Sequence, residues 1–293
     1  MKPFSQQSNH LKEGDGVFVL IPVLNEAANI GALLDKIEVQ LAGVPLTVGI
    51  LDDGSTDGTL EYLEQRMKRV PDHLHLIRRK KTRRASQRGS ALRALMLWGL
   101  EHTRHGVFVE MDGDLSHRPE ELPEGIRLIT EGQCDVAIAS KYVPGSAVVH
   151  RPWSRRMVSK VCSWAVRLLI SRRVHDYSNG YRFYARSAAQ VAAKRAYRYG
   201  SPIYLSEILA LWMRCGLRIV EFKSLYVGRN EGLSKLRAAD LVKAVIAVFE
   251  ISARYHVLGF RRLSGPKEYG SAAEATDDHI RTRSKATDTA SQE

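Results

Sequence analysis

The sequence predicts an α/β fold: a mainly parallel sheet flanked by helices. Three observations carry that expectation. Short apolar runs alternate with amphipathic stretches from residue 17 to residue 140, and such alternation gives parallel strands joined by right-handed crossovers. The runs are continuously apolar, as in strands covered on both faces. Three of them end in polar or acidic clusters, Leu24-Asn25-Glu26, Asp52 to Asp57, and Asp112-Gly113-Asp114. Ligands in such sheets bind beyond the carboxyl ends of the strands, so these turns converge on one crevice.

Each element follows in order. Residues 1–15 are polar, with no apolar core of an export signal, and read as a flexible leader. Val17–Val23 is the first strand. An amphipathic helix follows from Leu24 through Ile30, Leu33, Leu34 and Ile37. Leu46–Leu51 is the second strand and Leu60–Val70 the second helix. Leu74–Ile77 is a third strand, Ala91–Leu100 a helix, and Val107-Phe108-Val109 a fourth strand. Leu122–Thr130 is helical, and Asp135–Ser140 is the fifth strand. A further amphipathic helix runs to Ile170.

Composition narrows the function. At 293 residues, 44% hydrophobic and 26% charged, the chain has the makeup of a soluble globular protein with one large domain. Cys134, Cys162 and Cys215 match no zinc spacing and no disulfide framework, which fits a reducing compartment. A net charge of +12 points to phosphate-bearing partners. The sequence holds no DNA- or RNA-binding signature, and nucleic acid does not account for three acidic turns at one sheet edge.

Asp112 and Asp114 stand two residues apart after an apolar run, and strand alternation puts i and i+2 on the same side. Two convergent carboxylates repel unless a cation lies between them. Mg²⁺ or Mn²⁺ takes one or two carboxylates and completes its shell with water and substrate phosphates. Asp52 and Asp53, at another strand end, suit hydrogen bonds to a base N–H and to ribose hydroxyls. Ser55, Thr56 and Asp57 are suited to cap the helix that follows.

Ile21-Pro-Val-Leu-Asn-Glu26, Leu51 to Thr59 and Met111 to Glu120, in that order and spacing, resemble the inverting family-2 glycosyltransferases of GT-A fold. The resemblance implies that Pro22, Glu26, Asp52 and Asp53 contact base and ribose of a nucleotide-diphosphate sugar. It also implies that Asp112 and Asp114 bind Mg²⁺ or Mn²⁺. The stretch Arg78–Gly89 carries seven Lys or Arg. Arg88 is its one residue assigned to the nucleotide, and the rest is either a solvated loop or a patch facing lipid.

The second half resembles the polyprenyl-phosphate branch of that family, of which the dolichol-phosphate mannose synthases are the best-known members. The residues are Ser140-Lys-Tyr142, Arg155 with Ser159, Asp176 to Arg182, and Arg229 to Lys235. Lys141, Arg155, Ser159, Arg182, Arg229 and Lys235 are thereby implied to cradle an acceptor phosphate, with Asp114, Arg155, Arg229 and Lys235 central to catalysis. Arg gives bidentate contacts and Lys a point charge. Asn179, Ser116, Lys141 and Leu24 depart from that branch's usual residues. The expected reaction is metal-dependent transfer of a hexose, mannose from GDP-mannose foremost, to a polyprenyl phosphate, which needs no general base. The alternative is a sugar-hydroxyl acceptor with Glu207 as base.

The domain is expected to run from 16 to 236. An amphipathic helix is expected over 237–263, because Lys243, Glu250 and Arg254 interrupt the apolar stretch, and it packs either on the domain or in a membrane interface. A disordered tail is expected over 264–293. Together these predict a cytoplasmic protein, peripheral on the membrane.

Overall fold

The computed structural model describes residues 16–70, 73–79, 88–149, 166–168, 170–194, 203–227 and 246–257. The expected leader and the tail lie outside them. Strands β1 (Val17–Val23), β2 (Leu46–Asp52), β3 (Leu74–Arg78), β4 (Val107–Glu110) and β5 (Val136–Ser140) form where the apolar runs predict them. Between them lie α1 (Ile30–Gln40), α2 (Thr59–Arg69), α3 (Arg88–His102) and α4 (Leu122–Thr130). The predicted start of the first helix is corrected: residues 24–29 are a turn, and α1 begins at Ile30.

The rest of the chain adds β6 (Ala147–Val149), β7 (Arg182–Ala185), α5 (Arg186–Ala193), α6 (Tyr204–Arg214), β8 (Ile219–Lys223) and β9 (Leu225–Val227). The seven-stranded sheet has the order β3-β2-β1-β4-β7-β5-β8, and β6 pairs with β9. β7 inserts antiparallel between β4 and β5, with Glu110 opposite Arg182 and Val107 opposite Ala185. The sheet is therefore mostly parallel, with one reversed strand inside it.

Alternation along β1 explains the layers. Val17, Val19, Ile21 and Val23 belong to one core cluster with residues of α1 and α4. Phe18 and Leu20 face the other cluster, with α3, α5 and α6. Each fully buried side chain of this size contributes roughly 1.5–3 kcal/mol of burial. α6 is buried from Tyr204 to Trp212, as a helix covered on all sides must be.

Residues 246–252 are helical. Val248, Ile251 and Tyr255 join the α6 side of the core, whereas Ile246 (53% exposed) and Phe249 (56%) face outward. The described part of this segment thus packs on the domain along one apolar face. Among the described residues, no helix is long and apolar enough to cross a membrane.

Candidate active site

The ends of β1, β2 and β4 do open on one cleft. It has a volume of about 440 Å³ and is walled by Pro22, Leu24, Glu26 and Asp53 at one end and by Lys141, Ser178 and Tyr226 at the other, with Arg88, Asp112 and His117 between. Two loops build the first end. Asn25, at φ 58°, lies in the left-handed region that Asn tolerates. Its amide donates to Ser55 Oγ at 2.9 Å, and its side-chain oxygen accepts from the Thr56 amide at 2.9 Å. The Glu26 amide donates to Thr59 Oγ1 at 2.9 Å and the Ala27 amide to Asp57 Oδ2 at 3.1 Å. These four bonds make the loops after β1 and β2 one unit. Of the three expected caps of α2, only Asp57 bonds the helix start, accepting from the Thr59 amide at 3.1 Å.

Asp52 and Asp53 separate. Asp52 is buried and accepts from the amides of Gly54 and Ser55 at 3.1 Å and from the Ser55 hydroxyl. Its carboxylate is spent on its own turn, so a contact to base or ribose is not where the structure places it. Asp53 walls the cleft and accepts from Arg79 Nε at 2.6 Å. Burial pushes its pKa up, and the Arg79 charge partly offsets this.

The acids after β4 also separate. The strand ends at Glu110, so alternation does not carry through to Asp112 and Asp114. Asp112 walls the cleft. Asp114 lies outside the wall, with Oδ1 accepting from the Ser116 amide at 3.0 Å. Leu115 between them stands at φ 61°, which is costly for a non-Gly residue. The donor chemistry fits a hard cation: one carboxylate in the cleft, a second two residues on, and space for substrate oxygens. No group of three or more His, Cys, Asp or Glu positioned for a metal occurs among the described residues.

His117 was not among the expected site residues. It is buried, stacked on Tyr181 at 4.9 Å, and its Nδ1 accepts from the Asp112 amide at 2.9 Å. A backbone N–H can only donate, so the ring proton belongs on Nε2, which faces Asn179 Oδ1 at 3.2 Å. Asn179 in turn donates to the Ala139 carbonyl. Burial, with Arg88 nearby, pushes the imidazole down to about 3, so the ring is neutral. Asn179 thus orients the ring that holds the Asp112 backbone.

Arg88 walls the cleft. It is backed by two residues that sequence reasoning passed over, Glu110 and Tyr204, both fully buried. One signal was present: Glu110 is a lone charge inside an apolar run, and a buried charge requires a partner.

Among the expected phosphate ligands, Lys141 walls the far end. Its Nζ is 3.5 Å from Ser178 Oγ, 3.9 Å from Asp176 Oδ2 and 4.9 Å from the centre of the Tyr226 ring. Arg182 is corrected. It is fully buried and donates to the carbonyls of Asn179 and Leu205 at 2.9 Å and of Tyr177 at 3.3 Å, so it is scaffold behind the cleft. Arg155, Ser159, Arg229 and Lys235 lie outside the described residues. Glu207 is also corrected. It is buried on α6, 3.7 Å from Arg254, and does not wall the cleft; the hydroxyl-acceptor alternative loses its base.

The profile described as Glycosyl transferase family 2 matches residues 18–191, a span holding every cleft residue except Leu205 and Tyr226. The chain is 33% identical over 238 residues to the polyprenol monophosphomannose synthase of Mycolicibacterium smegmatis, covering 80% of this chain and 86% of that one. It is 32% identical over 251 residues to the undecaprenyl-phosphate mannosyltransferase of Micrococcus luteus, covering 84% and 98%. Among solved structures, glucosyl-3-phosphoglycerate synthase from Mycobacterium tuberculosis, in complex with Mn²⁺, UDP-glucose and phosphoglyceric acid, superposes with a TM-score of 0.59. That pair is 20% identical, covering 82% of this chain and 80% of that chain. Strand ends that open on one cleft, a matching family profile over most of its wall and relatives aligned across most of their length place this chain in glycosyl transferase family 2, as a glycosyltransferase of GT-A fold.

Proposed function

We propose that the protein transfers a hexose, most specifically mannose from GDP-mannose, to a polyprenyl phosphate, with inversion and with Mg²⁺ or Mn²⁺. The names of the two bacterial relatives support the lipid-phosphate acceptor and mannose. The observation that carries the reading in this chain is the division of charge along the cleft. The acids Glu26, Asp53 and Asp112 all sit on the loops after β1, β2 and β4, and the far wall offers Lys141, Ser178 and Tyr226. That end suits an anionic acceptor, and among the described residues no carboxylate walls it.

A bound divalent ion supplies Lewis-acid stabilisation of the departing diphosphate. Asp112 and Asp114 are the residues proposed to hold it. Glu26 and Asp53 face the nucleoside, and Lys141 draws the acceptor phosphate to the far end. Arg155, Ser159, Arg229 and Lys235 are proposed to complete its cradle. An acceptor oxygen, already anionic at neutral pH, attacks the anomeric carbon as its bond to the diphosphate breaks, and no proton changes hands. A lipid acceptor keeps the working enzyme at a membrane surface, and the outward Ile246 and Phe249 are suited to lie against it.

The test is a transfer assay with Mn²⁺, a short polyprenyl phosphate, and GDP-mannose, UDP-glucose or UDP-N-acetylglucosamine in separate reactions. An acid-labile glycosyl-phosphate lipid formed from GDP-mannose is the expected product. A product from a UDP-sugar instead would overturn the donor, and silence with all three in a protein that binds nucleotide would overturn the acceptor.

A further inference from the structure

Resting on the reading that the cleft binds a nucleotide diphosphate with a divalent ion, we propose that Arg88 is the resident counter-cation of Asp112. Glu110 and Tyr204 hold it there, so that the ion gains Asp112 only together with the diphosphate.

The guanidinium is used on three sides. Nε donates to the Tyr204 hydroxyl at 3.0 Å and Nη2 to Glu110 Oε1 at 3.2 Å. Nη1 meets Asp112 Oδ1. Tyr204 donates its own hydrogen to Glu110 Oε1, which closes the three groups into a buried triangle. The neighbouring backbone leaves room for it: a Cβ at Gly180 would lie 2.8 Å from Arg88 Nη2 and 3.4 Å from Glu110 Oε1. Two sides of the guanidinium are thus fixed to the interior and one faces the cleft.

This arrangement opposes a lone metal ion. A tethered cation meets Asp112 at a high effective concentration. An ion from solution has to displace a guanidinium that two buried partners hold in position. The diphosphate changes the balance in two ways. Its oxygens accept the Nη1 side of Arg88 through charge-assisted bonds, and they supply further ligands to the ion. Asp112 is then released to the ion without leaving Arg88 unpaired. Arg88 is the exchanging group, and Glu110 and Tyr204 are positioning residues.

The experiment is a titration of the full chain with Mn²⁺, read by the electron paramagnetic resonance signal of the free ion. It is run with and without GDP or UDP and corrected for the Mn²⁺–nucleotide complex in protein-free buffer. Nucleotide is expected to tighten Mn²⁺ binding to the wild type at least about tenfold. R88Q is expected to bind Mn²⁺ alone about tenfold more tightly than wild type and to lose most of the coupling. Because R88Q leaves Glu110 charged and without its cationic partner, R88Q/E110Q is measured beside it and is expected to behave alike. The proposal is overturned if both variants bind Mn²⁺ no tighter than wild type, if the coupling persists in both, or if no form binds Mn²⁺. Failure of polyprenyl phosphate as acceptor would overturn the acceptor assignment and leave this titration unchanged.

Discussion

His117 Nδ1 accepts the backbone N–H of Asp112 at 2.9 Å, which ties the cleft carboxylate to a buried neutral ring. Outer partners of this kind set ligand orientation and are typically worth about 10–100-fold in metal affinity or activity. His117→Asn keeps an acceptor near the Nδ1 position, and His117→Phe keeps only the stacking on Tyr181. The Phe variant should lose on the order of 10–100-fold in kcat/KM, and the Asn variant clearly less. Equal losses in the two would mean that the ring serves packing alone.

Asp112 walls the cleft, and Asp114 accepts a hydrogen bond within its own loop. Asp112→Asn should therefore reduce metal-dependent transfer more than Asp114→Asn does, by at least about tenfold. Mn²⁺ dose curves for both variants check this, and the reverse order would move the principal ligand to Asp114.

Gly180→Ala places a methyl group against Arg88 and Glu110. The atom at 2.8 Å is Nη2 of Arg88, which the buried pair with Glu110 holds, so the methyl strains that pair and stability should fall by about 1–3 kcal/mol. Arg88 should shift, and kcat/KM should fall along with the urea midpoint. An unchanged kcat/KM and urea midpoint would show that the pair takes the methyl without displacement.

Arg182 binds three backbone carbonyls in the interior, joining Tyr177 and Asn179 to Leu205 of α6. Arg182→Met removes the donors and leaves buried acceptors unsatisfied. A loss of about 3 kcal/mol or more is expected in urea denaturation. A soluble variant of near wild-type stability that merely raises the KM for the lipid acceptor would restore Arg182 to the phosphate cradle.

His75 stacks on Trp98 at 3.7 Å, and burial, reinforced by His102 stacked on the same indole, pushes its imidazole down to about 4. The unfolded value is about 6.5. The folded pKa is the lower one, so below about pH 6.5 the unfolded chain binds more protons. This contribution is present above that value and is lost as pH falls toward 4. Urea midpoints at pH 7.5 and pH 5 should therefore separate less in His75→Gln than in wild type.

The first half of the fold was legible because its strands are local and continuously apolar. The ends of β1, β2 and β4 were read correctly as meeting at one cleft. β7 was not read as a strand. Its residues Arg182-Phe-Tyr-Ala carry a charge, and only pairing to β4 and β5 across many intervening residues makes them a buried strand. The sequence points to Arg182 as a phosphate ligand for the same reason, since a sequence shows a cation but not the carbonyls folded around it.

Amino-acid order alone determined the α/β class, the crevice at the strand ends, the acidic turns and the family resemblance, because each rests on residues close together in the chain. Tertiary structure decided which of those residues act on the cleft. It turned Asp52 into its own loop and Glu207 toward Arg254, and it raised Glu110, Tyr204, His117 and Asn179 to prominence. The physical reason is burial: a charged or polar side chain removed from water must find its partner, and that partner is set by packing between segments far apart in sequence.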